Sequence, residues 1–434
     1  MRFLATADIH IGRRPARVSR EVAAAHSAAR VWERVVDVAI EEGVAAVLVS
    51  GDLVDADNRF FEAVGALEAG LNRLAHAGIE LYAVAGNHDS ETLPGLADSL
   101  NHPALHLLGR GGAWERVEIE NDTGETAQIF GWSFPGAYVE TSALSDFPSR
   151  QVHTDMPSLG LLHADVDVAA SHYHPVKTTE LRSTSLDAWL VGHVHVALGC
   201  SDKTNPRVLR LGSPQGLDPG PGEQGVHGPW LIDIDASGHV SFEQTAVSGV
   251  QYESVPVDLS GVTDTAALQS RLAAELRDHV EALTRRNPLL ETVVCRLHLN
   301  GTPALDTREI RKQCAALTET GLDCSRVRVI VDSTRLDLQP PVDLAEYRDE
   351  PGVLGVLAQL VDDIEHEHTP SDLQKGLLAQ LAKLDNAPVF MPLSDSVADE
   401  SGAHGDPKEE ARELLLTQSR QLLYALIEQR RGEP

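Results

Sequence analysis

The chain has 434 residues and 42% hydrophobic content, which is ordinary for a globular protein and sufficient for two or three domains. It lacks a run of the roughly 18 to 20 apolar residues that a membrane helix needs, and it begins without a signal-peptide pattern, so we expect a cytoplasmic protein. The formal net charge is -29 and only six residues are lysines, which excludes a surface that is basic throughout and attracts nucleic acid by its overall charge. This acidity indicates either a halophilic-like surface, adapted to a salt-rich cytoplasm, or an ordinary acidic protein.

The first 250 residues alternate short apolar runs with amphipathic segments. Buried strands are predicted at 3–7, 45–50, 81–85, 159–162 and 188–191, followed by strands at 208–211, 230–234 and 239–244. One helix is predicted from Ser19 to about residue 42 and another near 60–77. Because strands and helices alternate, we expect βαβ units and an α/β layered core.

The second half of the chain carries no evident chemistry. A small α+β unit is predicted from helices at 264–283 and 306–318 and strands at 291–299 and 326–332. A helical tail follows, with a Pro- and Gly-rich linker at 386–407 and a last helix capped by Asp406. The apolar stripe of that helix consists of Ala411, Leu415, Leu422 and Leu426. We predict three domains, 1–252, 253–340 and 341–434. Because the last helix is not stable alone, it must dock on its own chain or on a partner.

A polar motif follows each of the first five predicted strands. The motifs are Asp8-Ile9-His10, Gly51-Asp52-Leu53-Val54-Asp55, Gly86-Asn87-His88-Asp89, His163, and Gly192-His193-Val194-His195. The carboxyl ends of successive strands meet at one edge of a sheet, so we expect these side chains to converge. Mixed carboxylate and imidazole ligands suit Mn or Fe better than Mg. The set therefore predicts a two-metal phosphoesterase site.

The neighbours of each residue indicate its role. Asp52 is the best candidate to bridge two ions, because it lies in a tight Gly-Asp turn at a strand end. Of the adjacent Asn87 and His88, we expect Asn87 to bind metal through its carbonyl oxygen. His88 would then face the substrate and stabilise phosphoryl charge or protonate the leaving oxygen. Asp89 is a candidate to orient the His88 ring.

Two further assignments remain open from the residues alone. His163 is preferred as a ligand because the apolar run 160–162 leads directly to it, although it has rivals nearby. Those rivals are His153, His172 and His174. Arg13 and Arg14, with Arg17 and Arg20, crowd the segment after the first motif. They are candidates to bind phosphates that flank the scissile one, and the alternative is a solvated arginine cluster at a helix start.

These motifs resemble the calcineurin-like metallophosphoesterase superfamily and, within it, the SbcD-type nuclease subunit of bacterial and archaeal DNA repair complexes. The likeness extends to Leu211-Gly212-Ser213-Pro214-Gln215-Gly216, which is similar to the bacterial exonuclease-like branch. The resemblance implies a layered metallophosphoesterase β-sandwich flanked by helices, with a small α+β capping-like domain and a helical C-terminal tail. It implies two manganese ions, one held by Asp8, His10, Asp52 and His195, the other by Asp52, Asn87, His163 and His193. His88 would be the catalytic residue.

The same resemblance implies a DNA nuclease that acts in double-strand-break or DNA-end repair. It implies a homodimer, and a coiled-coil ABC ATPase of the SbcC type that binds helices near the C-terminus. Some members carry a second catalytic histidine where this chain has Asp55, so cleavage polarity cannot be carried over. Two other functions stay open. A small-molecule phosphodiesterase of the cyclic nucleotide type has no need of residues 253–434, and a non-catalytic scaffold would have lost ligands.

Overall fold

Strands and helices alternate over residues 2–107, and this arrangement confirms the predicted α/β class. The computed structural model describes residues 1–55, 60–168, 170–198, 207–235, 238–338, 344–366, 372–385 and 407–432. Within those ranges no helix is both long enough and apolar enough to cross a membrane.

The strands before residue 249 have two to six residues, and three of the four described strands after it have 9 to 12 residues. In chain order they are β1 (Arg2–Thr6), β2 (Ala46–Ser50), β3 (Glu80–Val84), β4 (Leu105–Leu107), β5 (Glu115–Glu120), β6 (Thr126–Gly131), β7 (Ser158–His163), β8 (Asp165–Val166), β9 (Pro175–Val176), β10 (Ala188–Gly192), β11 (Arg207–Arg210), β12 (Trp230–Ile234), β13 (Val240–Gln244), β14 (Val250–Asp258), β15 (Thr292–Gly301), β16 (Leu322–Cys324) and β17 (Val327–Leu338).

The helices vary from 5 to 26 residues in length. In chain order they are α1 (Arg20–Ala25), α2 (Ala28–Glu41), α3 (Phe60–His76), α4 (Thr92–Leu100), α5 (Thr178–Arg182), α6 (Thr265–Arg286), α7 (Thr307–Thr320), α8 (Leu344–Arg348), α9 (Val353–Glu365), α10 (Asp372–Asp385) and α11 (Pro407–Gly432).

Two sheets form the centre of the first 250 residues. The first has the order β13-β12-β1-β2-β3-β4, with β1 to β4 parallel and β12 antiparallel to β1. The second has the order β11-β10-β7-β6-β5, in which β7 pairs in parallel with both β10 and β6. In both sheets the parallel strands therefore end at one edge, where α/β proteins place their sites.

Apolar side chains fill the space on each side of β2. Val47 and Val49 join a buried cluster with α2 and α3, whereas Ala46 and Leu48 join a second buried cluster with residues of β7 and β10. A strand that is covered on both faces reads as a continuous apolar run, which is why its sequence predicts a strand so clearly. Trp32 of α2 is fully buried in the first cluster.

The helix predicted from Ser19 to about residue 42 is wrong as a single element, because it is divided into α1 and α2. The break lies at Ser27, whose φ of -60° and ψ of 154° are extended rather than helical. Just before it, the buried His26 ring lies 3.2 Å from a carboxylate oxygen of Glu291. A contact with a residue so far along the chain leaves no trace in the local helical pattern.

By its contacts the chain divides into two compact units. The first comprises Met1–Val255, Ala273–Leu297 and Cys314–Thr334, and the second comprises Pro256–Leu272, His298–Gln313 and Arg335–Pro434. The strands after residue 249 form a four-stranded sheet in the order β14-β15-β17-β16. The domain boundaries at residues 252 and 340 stay a prediction.

The last helix packs on its own chain within the second unit. Leu423 and Ile427 of α11 are buried against Leu357 and Val361 of α9. The predicted apolar stripe is therefore wrong at Leu422, which is 50% exposed, because the buried face is rotated by one residue. The predicted linker and its capping residue at 406 lie outside the described residues, except for residue 407, where α11 begins.

Candidate metal centre

The polar motifs lie at the carboxyl ends of β1, β2, β3, β7 and β10, and backbone hydrogen bonds tie the first two together. The amide of Asp8 donates to the carbonyl of Gly51 at 3.0 Å, and the amide of His10 donates to the carbonyl of Asp52 at 3.0 Å. The amide of His193 donates to the Asp8 carboxylate at 3.0 Å. These bonds hold three motifs in one place, and the structure brings all seven predicted ligands together there. We call these seven side chains the ligand cluster.

One group of ligand atoms surrounds His10. Asp8, His10 and His195 each offer an atom that lies within 4.8 Å of the others. His10 Nε2 is 3.2 Å from His195 Nε2 and 3.9 Å from Asp52 Oδ2. The four residues assigned to the first manganese ion are therefore neighbours in space.

A second group surrounds His163. Its Nε2 lies 3.3 Å from Asp52 Oδ2 and 2.9 Å from Asn87 Oδ1. His193 Nδ1 lies 3.2 Å from the same Asn87 oxygen. Asp52 contacts both groups, so it has the position that a bridging carboxylate requires. Metal coordination by these seven residues stays a prediction.

Buried negative charge makes this donor set suitable for cations. Asp8 and Asp52 are each 1% exposed, and in the described part of the chain neither forms an ion pair with lysine or arginine. Burial raises the pKa of Asp8. Burial also acts to raise the pKa of Asp52, but the charge of His163 and its hydrogen bond outweigh it and hold that pKa below its usual range. Oxygen and imidazole donors around buried carboxylates fit two divalent ions.

His163 responds to the same carboxylates. Burial favours its neutral form, but Asp52 and Asp8 outweigh burial and raise the pKa of His163 to about 10. The two carboxylates thus stabilise the protonated form of His163 relative to its neutral form. Its Nδ1 faces the carbonyl oxygen of Ser50 at 2.9 Å, so Nε2 is the nitrogen directed at the other ligands.

A carboxylate that the sequence analysis missed supports His195. Glu223 Oε1 lies 2.5 Å from His195 Nδ1, and Glu223 Oε2 accepts the amide of Leu217 at 3.0 Å. An acceptor on Nδ1 fixes the ring and its tautomer, so that the Nε2 lone pair faces the ligand cluster. The only sequence signal is the Pro- and Gly-rich turn at 219–222 that precedes Glu223.

Asp165, also missed, has the corresponding place beside His193. Asp165 Oδ1 lies 3.4 Å from His193 Nε2, on the side of the ring away from Asn87. The other Asp165 oxygen accepts a hydrogen bond from the Ser171 hydroxyl. Two ligand histidines therefore present opposite nitrogens to the cluster, Nδ1 for His193 and Nε2 for His195, and each has its own carboxylate behind it.

His88 lies beside the buried ligands and is open to solvent. It is exposed, its ring centroid lies 4.9 Å from that of His10, and its amide donates to Asp52 Oδ1 at 2.9 Å. The suggestion that Asp89 orients His88 is wrong. Asp89 is fully buried, and its oxygens accept the amides of Leu53 and Gly86, each at 2.8 Å. It joins the second motif to the third, and burial raises its pKa to about 7.

Four of the candidate ligands have left-handed backbone conformations. Positive φ angles occur at Asp8 (52°), His10 (50°), Asp52 (51°) and His193 (97°), although none is a glycine. Such conformations cost about 1–3 kcal/mol each and persist where surrounding structure enforces them. Here the amide bonds between the motifs do so, and the strained turns direct the ligand side chains to one point.

Two motif glycines permit close approach between the loops. A Cβ on Gly86 would lie 2.2 Å from Asp52 Oδ1, and a Cβ on Gly192 would lie 2.1 Å from the carbonyl oxygen of Ser50. Neither position has room for any side chain. The glycines are therefore part of the geometry of the ligand cluster, although neither offers a ligand atom.

The rivals of His163 lie elsewhere. His172 is exposed and pairs with Glu140 at 2.9 Å. His174 is buried behind His163, with its Nδ1 3.1 Å from the His163 carbonyl oxygen. His153 lies 3.4 Å from a guanidinium nitrogen of Arg116. The structure thus brings only His163, of these four, into the ligand cluster of the described residues.

The candidate DNA-binding arginines lie at the edge of the cluster and are paired. Arg13 Nε is 3.5 Å from Asp55 Oδ2, which in turn lies 3.9 Å from His10 Nδ1. Arg14 forms an ion pair with Glu62 at 2.9 Å. Asp55 therefore connects Arg13 to the candidate ligand His10, and the Arg13 side chain is 31% exposed.

Comparison with known proteins agrees with this geometry. Residues 1–197 match the model of the family described as calcineurin-like phosphoesterase, which supports assigning that part of the chain to a class of phosphoester hydrolases with a dinuclear divalent metal site. The chain is also 28% identical over 237 residues to YhaO of Bacillus subtilis (strain 168), an uncharacterized metallophosphoesterase. That match covers 54% of this chain and 56% of the relative, so the chain spans little more than half of the relative's length.

Solved structures give weaker likenesses. One is TT1561 of Thermus thermophilus, at 13% identity and a TM-score of 0.35, covering 56% of this chain and 98% of that one. Another is a dimetal phosphatase from Danio rerio, at 15% identity and a TM-score of 0.34, covering 54% of this chain and 92% of that one. At these TM-scores the likenesses support no conclusion about substrate.

Proposed function

We propose that this protein is a manganese-dependent DNA nuclease that hydrolyses phosphodiester bonds at DNA ends or breaks. The observation that supports hydrolysis most directly is the pair of ligand groups that share Asp52 beside an exposed His88. Two divalent ions held there would neutralise the phosphate oxygens and activate water. Intact ligand groups also argue against a non-catalytic scaffold.

The protein's own groups would position and protonate the substrate. His88 is exposed, and its amide is held by Asp52, so its imidazole can approach a phosphate at the ligand cluster from the solvent side. A proton donated from that ring to the leaving oxygen would avoid the release of a free alkoxide. Such general acid catalysis contributes about 10²- to 10⁴-fold to a rate.

DNA as the substrate rests on the arginines and on the sequence resemblance. Arg13 gives a partly exposed cation next to the candidate metal ligands, where phosphates flanking the scissile one would pass. The resemblance to SbcD-type nucleases adds a homodimer and a coiled-coil ABC ATPase that binds the C-terminal helices. Since the net charge is -29, we expect DNA binding to rely on these local cations and on salt that screens the remaining surface.

The test compares two substrates and two histidine variants. Purified protein with Mn²⁺ is given an end-labelled DNA duplex and bis-p-nitrophenyl phosphate, at low and high salt. His88→Ala should lower kcat on DNA by about 10²- to 10⁴-fold while Mn²⁺ binding is retained, and the loss on bis-p-nitrophenyl phosphate should be smaller because p-nitrophenolate leaves without a proton. The control is His239→Ala, an exposed histidine on the β12–β13 connection, which should behave as wild type.

Each result has a distinct meaning. DNA degradation that is lost in His88→Ala supports the nuclease. Hydrolysis of the small diester without action on DNA, even with a partner ATPase added, would favour a small-molecule phosphodiesterase instead. Inactivation above moderate salt would contradict a halophilic-like surface.

A further inference from the structure

A row of aromatic rings leads from the ligand cluster to solvent. The ring of Tyr173 lies 5.0 Å from that of His193, and the ring of Tyr138 lies 5.9 Å from that of Tyr173, tilted by 32°. His172 flanks Tyr138 at 6.5 Å, nearly perpendicular to it. The row therefore begins at a candidate metal ligand and ends at Tyr138.

Exposure increases along this row. Tyr173 is half-buried, whereas Tyr138 is 69% exposed, which is unusual for a large aromatic side chain. A tyrosine that served only to fill the loop would be covered by it. Tyr138 instead keeps most of its surface in water while its ring stays next to Tyr173.

The backbone holds these two rings in place. The amide of Val139 donates to the carbonyl of His172 at 2.9 Å, and the amide of His174 donates to the carbonyl of Val139 at 2.6 Å. His174 is buried and also accepts the amide of Ala143 on its Nε2 at 3.0 Å. The two tyrosines thus stand on paired segments and need little ordering when a ligand arrives.

The acidic groups beside the rings have hydrogen-bond or ion-pair partners. Glu140, the acidic residue closest to Tyr138 in sequence, pairs with His172 at 2.9 Å. Asp165 is engaged by His193 and by the Ser171 hydroxyl. A flat and largely exposed aromatic surface next to a candidate phosphate site suits a nucleobase, which has a π-face whatever its identity.

We propose that Tyr138 and Tyr173 form a stacking platform for the base of the nucleotide whose phosphate lies at the ligand cluster. The proposal rests on the proposed phosphodiester hydrolysis and specifies its substrate as a nucleotide with an unpaired base. It also implies that a base inside a duplex must leave the stack before its phosphate is cut, because neighbouring bases cover both of its faces.

The experiment compares Tyr138 variants on strands that have the base and on strands that lack it. Binding of a single-stranded phosphorothioate oligonucleotide is measured by fluorescence anisotropy in Mn²⁺, beside the same strand with abasic positions. The variants are Tyr138→Ala, Tyr138→Leu, which keeps apolar bulk without a ring, and Tyr138→Phe, which keeps the ring. Thermal unfolding reports whether each variant is folded.

Stacking predicts a defined pattern. Tyr138→Ala and Tyr138→Leu should weaken binding of the intact strand by about 5- to 150-fold, and Tyr138→Phe should not. The abasic strand should bind wild type and all variants alike. Equal losses on intact and abasic strands, or equal behaviour of Leu and Phe, would overturn the platform.

Failure of the nuclease proposal is separable. Wild-type protein that hydrolyses bis-p-nitrophenyl phosphate but binds no strand would remove DNA as the substrate. The same variants are then measured on a dinucleotide. Ring-dependent binding there would support the platform with a small nucleotide substrate, and its absence would overturn the platform as well.

Discussion

Removal of the Glu223 carboxylate should weaken one of the two metal sites and leave the other. In Glu223→Ala, His195 Nδ1 loses the acceptor 2.5 Å away, and the amide of Leu217 loses its acceptor at 3.0 Å. The ring is then free to rotate or to change tautomer, so its Nε2 no longer faces His10 and Asp8.

The expected size follows from that one contact. A hydrogen bond to a charged group contributes about 1.5–3 kcal/mol, and about 1.4 kcal/mol corresponds to a factor of ten in affinity. Partners behind a ligand histidine typically change metal affinity by about 10- to 100-fold. We therefore expect Mn²⁺ affinity at the site of Asp8, His10 and His195 to fall by about 10- to 100-fold.

Isothermal titration calorimetry with Mn²⁺ measures this change site by site. Wild type should show two tight sites, and Glu223→Ala should show one tight site and one weak site. The matched control is Asp187→Ala, since Asp187 Oδ2 accepts both the amide and the hydroxyl of Ser158, at 2.8 and 2.9 Å. Asp187 precedes β10 at the end opposite the ligands, so its loss should lower stability only. Unchanged affinity in Glu223→Ala, or the same loss in the control, would refute the reasoning.

Three further outcomes follow from contacts described above. Gly86→Ala should abolish tight Mn²⁺ binding in calorimetry, because the new Cβ would lie 2.2 Å from Asp52 Oδ1. The control Gly95→Ala should bind Mn²⁺ as wild type does, because a Cβ at that position has nothing within 4 Å. Equal Mn²⁺ binding by the two variants would contradict this prediction. Trp32→Ala should lower the free energy of unfolding in urea by about 3–5 kcal/mol, since the side chain is fully buried, and a loss below about 1 kcal/mol would mean that it contributes little. Burial lowers the pKa of His26 and outweighs the opposing effect of Glu291. As the pH falls, this histidine is therefore protonated in the unfolded chain before it is protonated in the folded protein. The contribution of His26 to the free energy of unfolding should be fully present above pH 6.5, and it should be lost as the pH falls toward the lowered pKa of the folded state. His26→Gln should flatten that decline in pH-dependent denaturation, and an unchanged slope would exclude His26 as its cause.

The ligand positions could be predicted from sequence because each follows a strand that is buried on both faces. Such strands give uninterrupted apolar runs, and the first polar residue after a run marks the sheet edge. His163 illustrates this, since the run that precedes it distinguishes it from three neighbouring histidines. The structure brings it within 2.9 Å of Asn87.

Other features could not be predicted because they depend on contacts between distant residues. Asp165 begins the two-residue strand β8 and Glu223 ends a single-turn 3₁₀ helix, and such short segments have no periodicity that would mark which carboxylate supports a histidine. The β5 segment, Glu115–Glu120, has four charged residues and only one buried position, so its sequence does not indicate a strand. The break in the predicted first helix lies beside His26, whose ring contacts Glu291, 265 residues further along the chain.

The crowding at Gly192 has a consequence for how such proteins change over generations. A ligand histidine can be lost in one step and leave a fold that still assembles, because its replacement has space to occupy. The glycine cannot be exchanged in that way, since even alanine would meet the carbonyl oxygen of Ser50 at 2.1 Å. Inactive descendants should therefore keep their glycines longer than their histidines. In a comparison of sequences, the glycines would report shared ancestry, and the histidines beside them would report retained catalysis.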